Sequence, residues 1–522
     1  MSIMTINNNK IANNAIANKT IINENETDDN VSIYLGDKGY TIYKEALTIK
    51  EIQYIRETLT VRPYIPKSPV QPPSFPIYRE SKLKIYVPRY FGYENYGIPE
   101  QSRISEGDDI HVPFNGELRD YQKTVVDIYM KRVTEDRFGG GGLLDLAPGQ
   151  GKTVLGLNII SKLGKKALII VHKGFLLNQW IERIEQYLPS ARVGKIQGQI
   201  IDIDNKDIVI GMLQSLSMKE YPPEIFNSFG ITIVDEVHHI SSEVFSRSLL
   251  KLVTKYTLGL SGTMQRKDGL TKVFKMYLGE VLFKNPSKKD DKVIVKAVEF
   301  NTTDADFGEV ETDYRGNIKY STMITKLCAF NRRSEHIIKV IKQELEQNQN
   351  QQMIVLAHNK NLLTYLHDAI KSREIASVGY YLGGMKEEHL KQSESKKIII
   401  ATYAMASEGL DIPSLTTLVF ATPKTDITQS VGRILRTKHS SPLVIDIVDQ
   451  HDIFKQQWEK RKAYYIKNNY KVLYSTNYDG NVWKTKYDPE NPPIKVKTGS
   501  SSKKSQGKCL VQLTIEDAMK EQ

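Results

Sequence analysis

The run Leu146-Ala147-Pro148-Gly149-Gln150-Gly151-Lys152-Thr153 constrains the fold of this chain more than any other stretch. An apolar run at 143–146 leads into it and a helix-like segment at 154–163 follows. Strand, glycine-bearing loop and helix in that order build a phosphate cradle. Backbone N–H groups and the helix N-terminus face the anion, Lys152 reaches the β- and γ-phosphates, and Thr153 ligates Mg²⁺. The expected ligand is a nucleoside triphosphate, ATP, wrapped by Ala147, Pro148, Gly149, Gln150 and Gly151. The strict pattern has glycine where this chain has Leu146, and a Gly-x-Gly-Lys-Thr fragment alone also fits a helix-capping glycine turn. The rest of the chain decides between the two.

A chain of 522 residues exceeds what one core usually holds, so three or four domains of roughly 100–200 residues are expected. The net charge of +11 and pI of about 9.1 favour a polyanionic partner through counterion release, although charge alone also fits a basic soluble protein. No stretch is long and apolar enough to span a bilayer, and residues 1–30 are Asn- and Thr-rich without an apolar core. The expectation is therefore an intracellular protein without membrane or secretory signal. Cys328 and Cys509 lie far apart with no Cys-x-x-Cys spacing, which suggests neither a disulfide framework nor a zinc site. Any metal is Mg²⁺ arriving with the nucleotide.

Along the chain, residues 1–30 read as a disordered tail. Residues 31–113 read as a small accessory α+β domain. Alternation over 82–87 predicts a half-buried strand, with Arg79, Lys82, Lys84 and Arg89 interleaved among Tyr78, Tyr86, Tyr90 and Tyr93. Such a mixture can grip a nucleic-acid backbone and stack on bases, or can be a tyrosine core under a solvated lysine face. Over 114–290 short apolar runs at 143–146, 167–171, 207–210, 231–234 and 256–260 alternate with helical-length segments. This is the signature of a parallel sheet covered on both faces. A second series at 293–298, 353–357, 398–401, 417–420 and 443–447 predicts a second such domain over 291–477. It lacks a phosphate loop of its own, and a last helix over 454–470 packs back on it. Residues 478–522 read as a basic flexible tail.

The second half of the expected ATP site is Ile231-Thr232-Ile233-Val234-Asp235-Glu236-Val237-His238. A strand that delivers an acid pair at its C-terminal end lets Asp235 hold Mg²⁺ while Glu236 orients and deprotonates the attacking water.

With these residues in hand, the chain resembles the superfamily 2 DExH-box helicases, and further motifs of that superfamily occur in order. Leu118-Arg119-Asp120-Tyr121-Gln122 is similar to the adenine-recognition element, in which Arg119 and Gln122 contact the nucleotide. Ala167 to Lys173 and Gly211 to Leu216 resemble elements that touch strand phosphates, through Lys173, Gln214 and Ser215. The segment Ser261-Gly262-Thr263-Met264-Gln265-Arg266-Lys267-Asp268 resembles motif III with the Arg-x-Asp extension of the XPB/UvsW-like branch. It carries Ser-Gly-Thr where Ser/Thr-Ala-Thr is usual. In the second domain, His358 and Thr402 fall in strand-contact elements, Gly409 and Asp411 in Ser407-Glu408-Gly409-Leu410-Asp411, and Gln429, Arg433 and Arg436 in Gln429-Ser430-Val431-Gly432-Arg433-Ile434-Leu435-Arg436. Arg433 and Arg436, three apart, share a helical face, so both can reach a γ-phosphate bound in the other domain.

What the resemblance implies is a fold of two tandem RecA-like parallel-sheet domains that close on ATP. Lys152, Asp235, Glu236, Gln429, Arg433 and Arg436 form the catalytic set; Gly409 and Asp411 sense the nucleotide; His238, Ser261 and Thr263 couple the nucleotide to the strand. It also implies a nucleic-acid partner, with DNA favoured over RNA. Within the superfamily the chain is closest to helicases of large DNA viruses of the poxvirus transcript-release type, which brings in transcription complexes as partners and, for a viral protein, the virion and cytoplasmic factory as its place. An RNA helicase and a non-hydrolysing nucleic-acid-binding module are the competing readings. The presence of Lys152, Thr153, Asp235, Glu236, Arg433 and Arg436 argues against the latter.

Overall fold

The computed structural model describes residues 31–64, 70–147, 149–239, 246, 248–262, 264, 270–284, 292–408, 410, 412–435, 442–476 and 482–491. The readings placed on residues 1–30 and on 492–522 lie outside this range.

The chain is α/β and carries two eight-stranded sheets, each built on a parallel array of RecA type. In the first, strands Gly140–Asp145, Ala167–Val171, Val193–Gln197, Ile208–Met212, Ile231–Asp235, Tyr256–Ser261 and Val281–Lys284 run parallel, and Ile200–Asp202 closes an antiparallel hairpin at one edge. Strand Ile231–Asp235 lies between Ala167–Val171 and Tyr256–Ser261, and the phosphate-loop strand Gly140–Asp145 flanks Tyr256–Ser261. The acid pair and the phosphate loop therefore emerge from the same C-terminal edge, the end at which ligands of such sheets bind.

Burial on both faces explains the unbroken apolar runs. Leu168 and Ile170 point into one core, while Ala167, Ile169 and Val171 point into the other. The second sheet repeats the scheme: Val355 and Ile400 serve one core, and Ile354, Leu356 and Ile399 the other. Its parallel strands include Ile294–Phe300, Met353–Ala357, Ile398–Thr402, Thr417–Phe420 and Leu443–Asp449. Inside it Arg333 and Asp449 form a bidentate pair with both side chains at 0% exposure, and Arg461 grips Asp446 in the same way.

Residues 484–487, expected in the flexible tail, instead form an edge strand antiparallel to Lys471–Ser475. Side-chain contacts too distant in sequence for periodicity to reveal hold it there. Lys471 pairs with Asp488 at 2.8 Å, Lys486 lies 5.0 Å from the Tyr474 ring centre, and Tyr487 Oη donates to Asn469 at 3.3 Å.

The accessory layer is a five-stranded sheet in which Gly39–Tyr43 is flanked by Ile33–Gly36 and Lys84–Val87. Helices Ile49–Thr58 and Arg89–Tyr96 belong to the same layer. The strand expected over 82–87 is present with alternating burial. Its basic residues do not form one exposed face. Arg89 is buried and donates to the carbonyls of Phe138, Gly139 and Lys255 at 3.0–3.1 Å, so it fastens the layer to the first lobe. Leu59, Phe75, Ile77 and Phe91 share one core with Val273, Phe274 and Tyr277 of helix Thr271–Leu278, and Tyr277 Oη donates to the Ile77 carbonyl at 2.8 Å.

Candidate functional site

At the head of helix Lys152–Leu163 the backbone turns through Gly149 at φ 82° and Gly151 at φ 72°, the left-handed region that glycine enters without strain. Space reinforces the requirement at Gly151, where a Cβ would stand 2.5 Å from Gln122 Nε2. Gln150 closes the loop on itself by accepting the Ala147 N–H at 3.0 Å. Its carbonyl accepts from Tyr121 Oη at 2.8 Å and from Gln122 Nε2 at 3.3 Å. Gln122 Oε1 takes the Arg119 N–H at 2.9 Å, at the start of helix Asp120–Glu135. The element singled out for adenine thus braces the phosphate loop, while the Arg119 side chain stays exposed. Leu146, the departure from the strict pattern, is a core residue at 0% exposure whose N–H bonds the Ser261 carbonyl at 2.9 Å. Thr153 follows Lys152 in the first helical turn; Pro148 lies outside the described residues.

Lys152 Nζ meets Glu236 Oε1 at 2.5 Å, joining the loop to the acid pair. Asp235 is enclosed. Its Oδ2 accepts the Trp180 indole N–H at 3.0 Å and its Oδ1 accepts the Glu236 N–H at 3.0 Å. Burial raises the Asp235 pKa, the neighbouring Glu236 carboxylate raises it further, and Lys152 and the Trp180 N–H oppose them. Glu236 has φ 48°, a sparsely populated region for a side-chain-bearing residue, stored here at the end of strand Ile231–Asp235. A polar chain runs on from it. Ser261 Oγ donates to Glu236 Oε2 at 3.4 Å and lies 2.9 Å from His238 Nδ1. Two neighbouring strand ends and the turn after one of them thus meet in one network that contains His238 and Ser261. Thr263 lies outside the described residues.

Across from this edge, Arg433 and half-buried Gln429 come from the consecutive turns Gly432–Leu435 and Thr428–Val431 of the second lobe. The Arg433 guanidinium donates to the carbonyls of Ala406 at 2.6 Å and Leu410 at 2.8 Å. Burial pulls its pKa down to about 10 against the opposing pull of the Glu236 carboxylate. Arg436, Gly409 and Asp411 lie outside the described residues. The lobes also touch through Asn178 and Glu387 at 2.8 Å and through Lys391 and Glu182 at 2.9 Å.

The residues singled out for strand contact lie at or just beyond the C-terminal ends of strands in both sheets, Gln214 and Ser215 within helix Leu213–Met218. Lys173 precedes helix Gly174–Tyr187, and burial lowers its pKa. Gln214 is exposed, while Ser215 Oγ accepts the Gly198 N–H at 2.9 Å. His358 reaches solvent but lays its ring against Tyr403, centroids 4.6 Å apart, with Nδ1 2.9 Å from Thr422 Oγ1. Partial burial and then the Lys424 ammonium hold its pKa down at about 4, so it is neutral at physiological pH. Thr402 ends the neighbouring strand Ile398–Thr402. Trp180, Tyr403 and Lys424 escape sequence reasoning because their partners are close only in the fold.

A phosphate loop and acid pair at one sheet edge, with an arginine on a turn of a second lobe built on a sheet of the same type, define a two-lobed nucleoside-triphosphatase motor. Residues 115–266 match the family described as Type III restriction enzyme, res subunit, and residues 335–438 match the Helicase conserved C-terminal domain. A protein of Acanthamoeba polyphaga mimivirus, provisionally named ATP-dependent RNA helicase L396, is 35% identical over 85% of this chain and 87% of its own. The protein provisionally named helicase 161L of Invertebrate iridescent virus 6 is 26% identical over 72% of this chain and 88% of its own. The African swine fever virus (Kenya isolate) protein QP509L, provisionally named an ATP-dependent RNA helicase, is 26% identical over 72% of this chain and 78% of its own. The chain belongs to the superfamily 2 helicases of the type found in large DNA viruses. It is accordingly an ATP-hydrolysing helicase that binds nucleic acid, and no helix among its described residues is long and apolar enough to cross a membrane.

Proposed function

We propose that this helicase is a DNA-dependent translocase whose ATP chemistry is carried by Lys152, Asp235, Glu236, Gln429, Arg433 and Arg436. The observation that supports the reading best is the network Lys152–Glu236–Ser261–His238, in which Glu236 also interacts electrostatically with Arg433 of the second lobe. Lys152 neutralises the β- and γ-phosphates, and Glu236 positions a water for in-line attack and accepts its proton. Arg433 and Arg436 swing onto the charge that develops on the γ-phosphoryl group. Before nucleotide arrives, the ammonium of Lys152 satisfies the Glu236 carboxylate; a triphosphate competes for that ammonium and frees Glu236 as a base. Asp235 and Thr153 offer a carboxylate and a hydroxyl, the hard oxygen donors that suit Mg²⁺; they would hold the ion, which would supply positive charge against the phosphates.

Closure of the lobes on ATP and reopening after hydrolysis would pass a strand held by Lys173, Gln214, Ser215, His358 and Thr402 forward once per cycle. In the same reading residues 31–113 handle nucleic acid beside the motor, residues 114–290 and 291–477 are its two halves, and transcription complexes of a DNA virus are its setting. A second reading, RNA remodelling, is favoured by the printed names of the mimivirus and swine fever virus relatives. ATP hydrolysis measured without nucleic acid, with single- and double-stranded DNA and with RNA separates the two, with Glu236→Gln as control. Stimulation by DNA that vanishes in the control supports the first reading, and stimulation by RNA alone overturns it.

A further inference from the structure

We propose that the seam between the accessory layer and the first lobe is a guide for one single strand of nucleic acid, with Arg62 and Lys272 on its phosphates and Tyr64 stacked on a base. A cleft of about 930 Å³ opens there, lined by Arg56, Thr58, Arg62 and Tyr64 on one side and by Leu270 and Lys272 on the other. The inference rests on the chain being a nucleic-acid motor and adds a contact outside the motor's own strand-binding elements.

Charge distribution carries the argument. Of the cations among the cleft's described residues, Arg56 is committed to Glu80 at 2.8 Å, whereas Arg62 and Lys272 form no ion pair with a described residue. The lining carboxylate, Glu57, accepts from Gln53 at 2.8 Å. Tyr64 lines the cleft and is 59% exposed, so the side chain is accessible to the cleft's contents. Among the described residues the lining is mixed, with Val61 and Leu270 beside the cations and Tyr64, whereas pockets for small molecules are predominantly apolar. Cations that track a backbone beside an aromatic platform instead describe a site for a strand. An unpaired base can offer its face to Tyr64, whereas bases inside a duplex are already stacked on one another.

The position has a mechanical consequence. Leu270 and Lys272 sit at the start of helix Thr271–Leu278, which shares its core with the accessory layer through Val273, Phe274 and Tyr277. A strand in the cleft touches both bodies at a seam that is packed rather than hinged, and is held in fixed register to the first lobe.

The test is fluorescence anisotropy with the full chain and labelled oligothymidylate, oligouridylate and a blunt DNA duplex across a salt series. Arg62→Gln with Lys272→Gln should weaken single-strand binding about tenfold and flatten the log–log salt slope by about 1.4, two phosphates at roughly 0.7 each. Tyr64→Ala should weaken it at least about fivefold with an unchanged slope. Both variants should keep the basal ATPase rate measured without nucleic acid. Unchanged affinity and slope in the double variant, with hydrolysis still stimulated by nucleic acid, would overturn the guide and leave the motor reading standing. Losses confined to the duplex probe would overturn the single-strand assignment, and a wild-type chain that binds none of the probes would overturn both readings.

Discussion

The indole N–H of Trp180 donates to Asp235 Oδ2 at 3.0 Å, so a core residue at 1% exposure holds the carboxylate at the end of strand Ile231–Asp235. That bond is one of the forces holding down an Asp235 pKa already raised by burial and by the Glu236 carboxylate. Trp180→Phe removes the donor and raises the pKa further. The ionised carboxylate is the form that can hold Mg²⁺, so activity is lost as pH falls through this pKa. The acid limb of the ATPase pH profile should therefore move to higher pH in the variant. Steady-state kcat against pH, with thermal melting to confirm folding, checks it; an unmoved acid limb would remove Trp180 from the site.

Glu236→Gln keeps the size of the side chain but removes its basicity. Turnover should drop by about 10²-fold or more, the usual contribution of a general base, while ATP binding is retained. Lys152→Ala should lose binding as well, because the proposed mechanism gives the ammonium 2.5 Å from Glu236 to the phosphates. Nucleotide fluorescence titration beside a phosphate-release assay distinguishes the two variants.

Ser261 contacts both Glu236 and His238, 3.4 Å from one and 2.9 Å from the other, and those two stand 3.4 Å apart. Ser261→Ala deletes the shared hydroxyl and leaves both partners in place. Basal hydrolysis should change little, whereas stimulation by nucleic acid should fall roughly fivefold, equivalent to about 1 kcal/mol of coupling. Equal losses with and without nucleic acid would mean that the hydroxyl serves catalysis alone.

Asp449→Ala leaves the buried Arg333 guanidinium without its carboxylate. Breaking such a pair costs about 3–5 kcal/mol. Calorimetry should show a transition lowered by roughly 6–20 °C, taking about 2–4 °C per kcal/mol for a lobe of this size. A shift below a few degrees would show that the lobe relaxes around the charge.

Much of this architecture is legible before folding, because it is written in local pattern. The runs at 167–171, 353–357 and 417–420 coincide with strands Ala167–Val171, Met353–Ala357 and Thr417–Phe420, since a strand covered on both faces has no polar positions to break its run. Strands Val193–Gln197 and Lys471–Ser475 escape the same reading. They are only partly buried and their apolar content is diluted, so they are strands chiefly because the parallel array offers them an edge to pair with.

The site divides along the same line. Lys152, Asp235, Glu236 and Arg433 are recognisable because their chemistry depends on neighbours in sequence: a loop before a helix, a pair after a strand, an arginine on a turn. Gln122 is recognisable too, but only the fold shows it bracing the Gln150 carbonyl.

By itself, then, the sequence determined the two parallel sheets, the phosphate loop with its acid pair, and membership of a helicase family, because periodicity and motif spacing are properties of consecutive residues. Tertiary structure alone decided that Trp180 holds Asp235, that Ser261 joins Glu236 to His238, that Arg89 fastens the accessory layer, and that Arg62 and Lys272 face one cleft. Each of these depends on a distance between segments far apart in the chain, and such distances are set by how the sheets and helices pack.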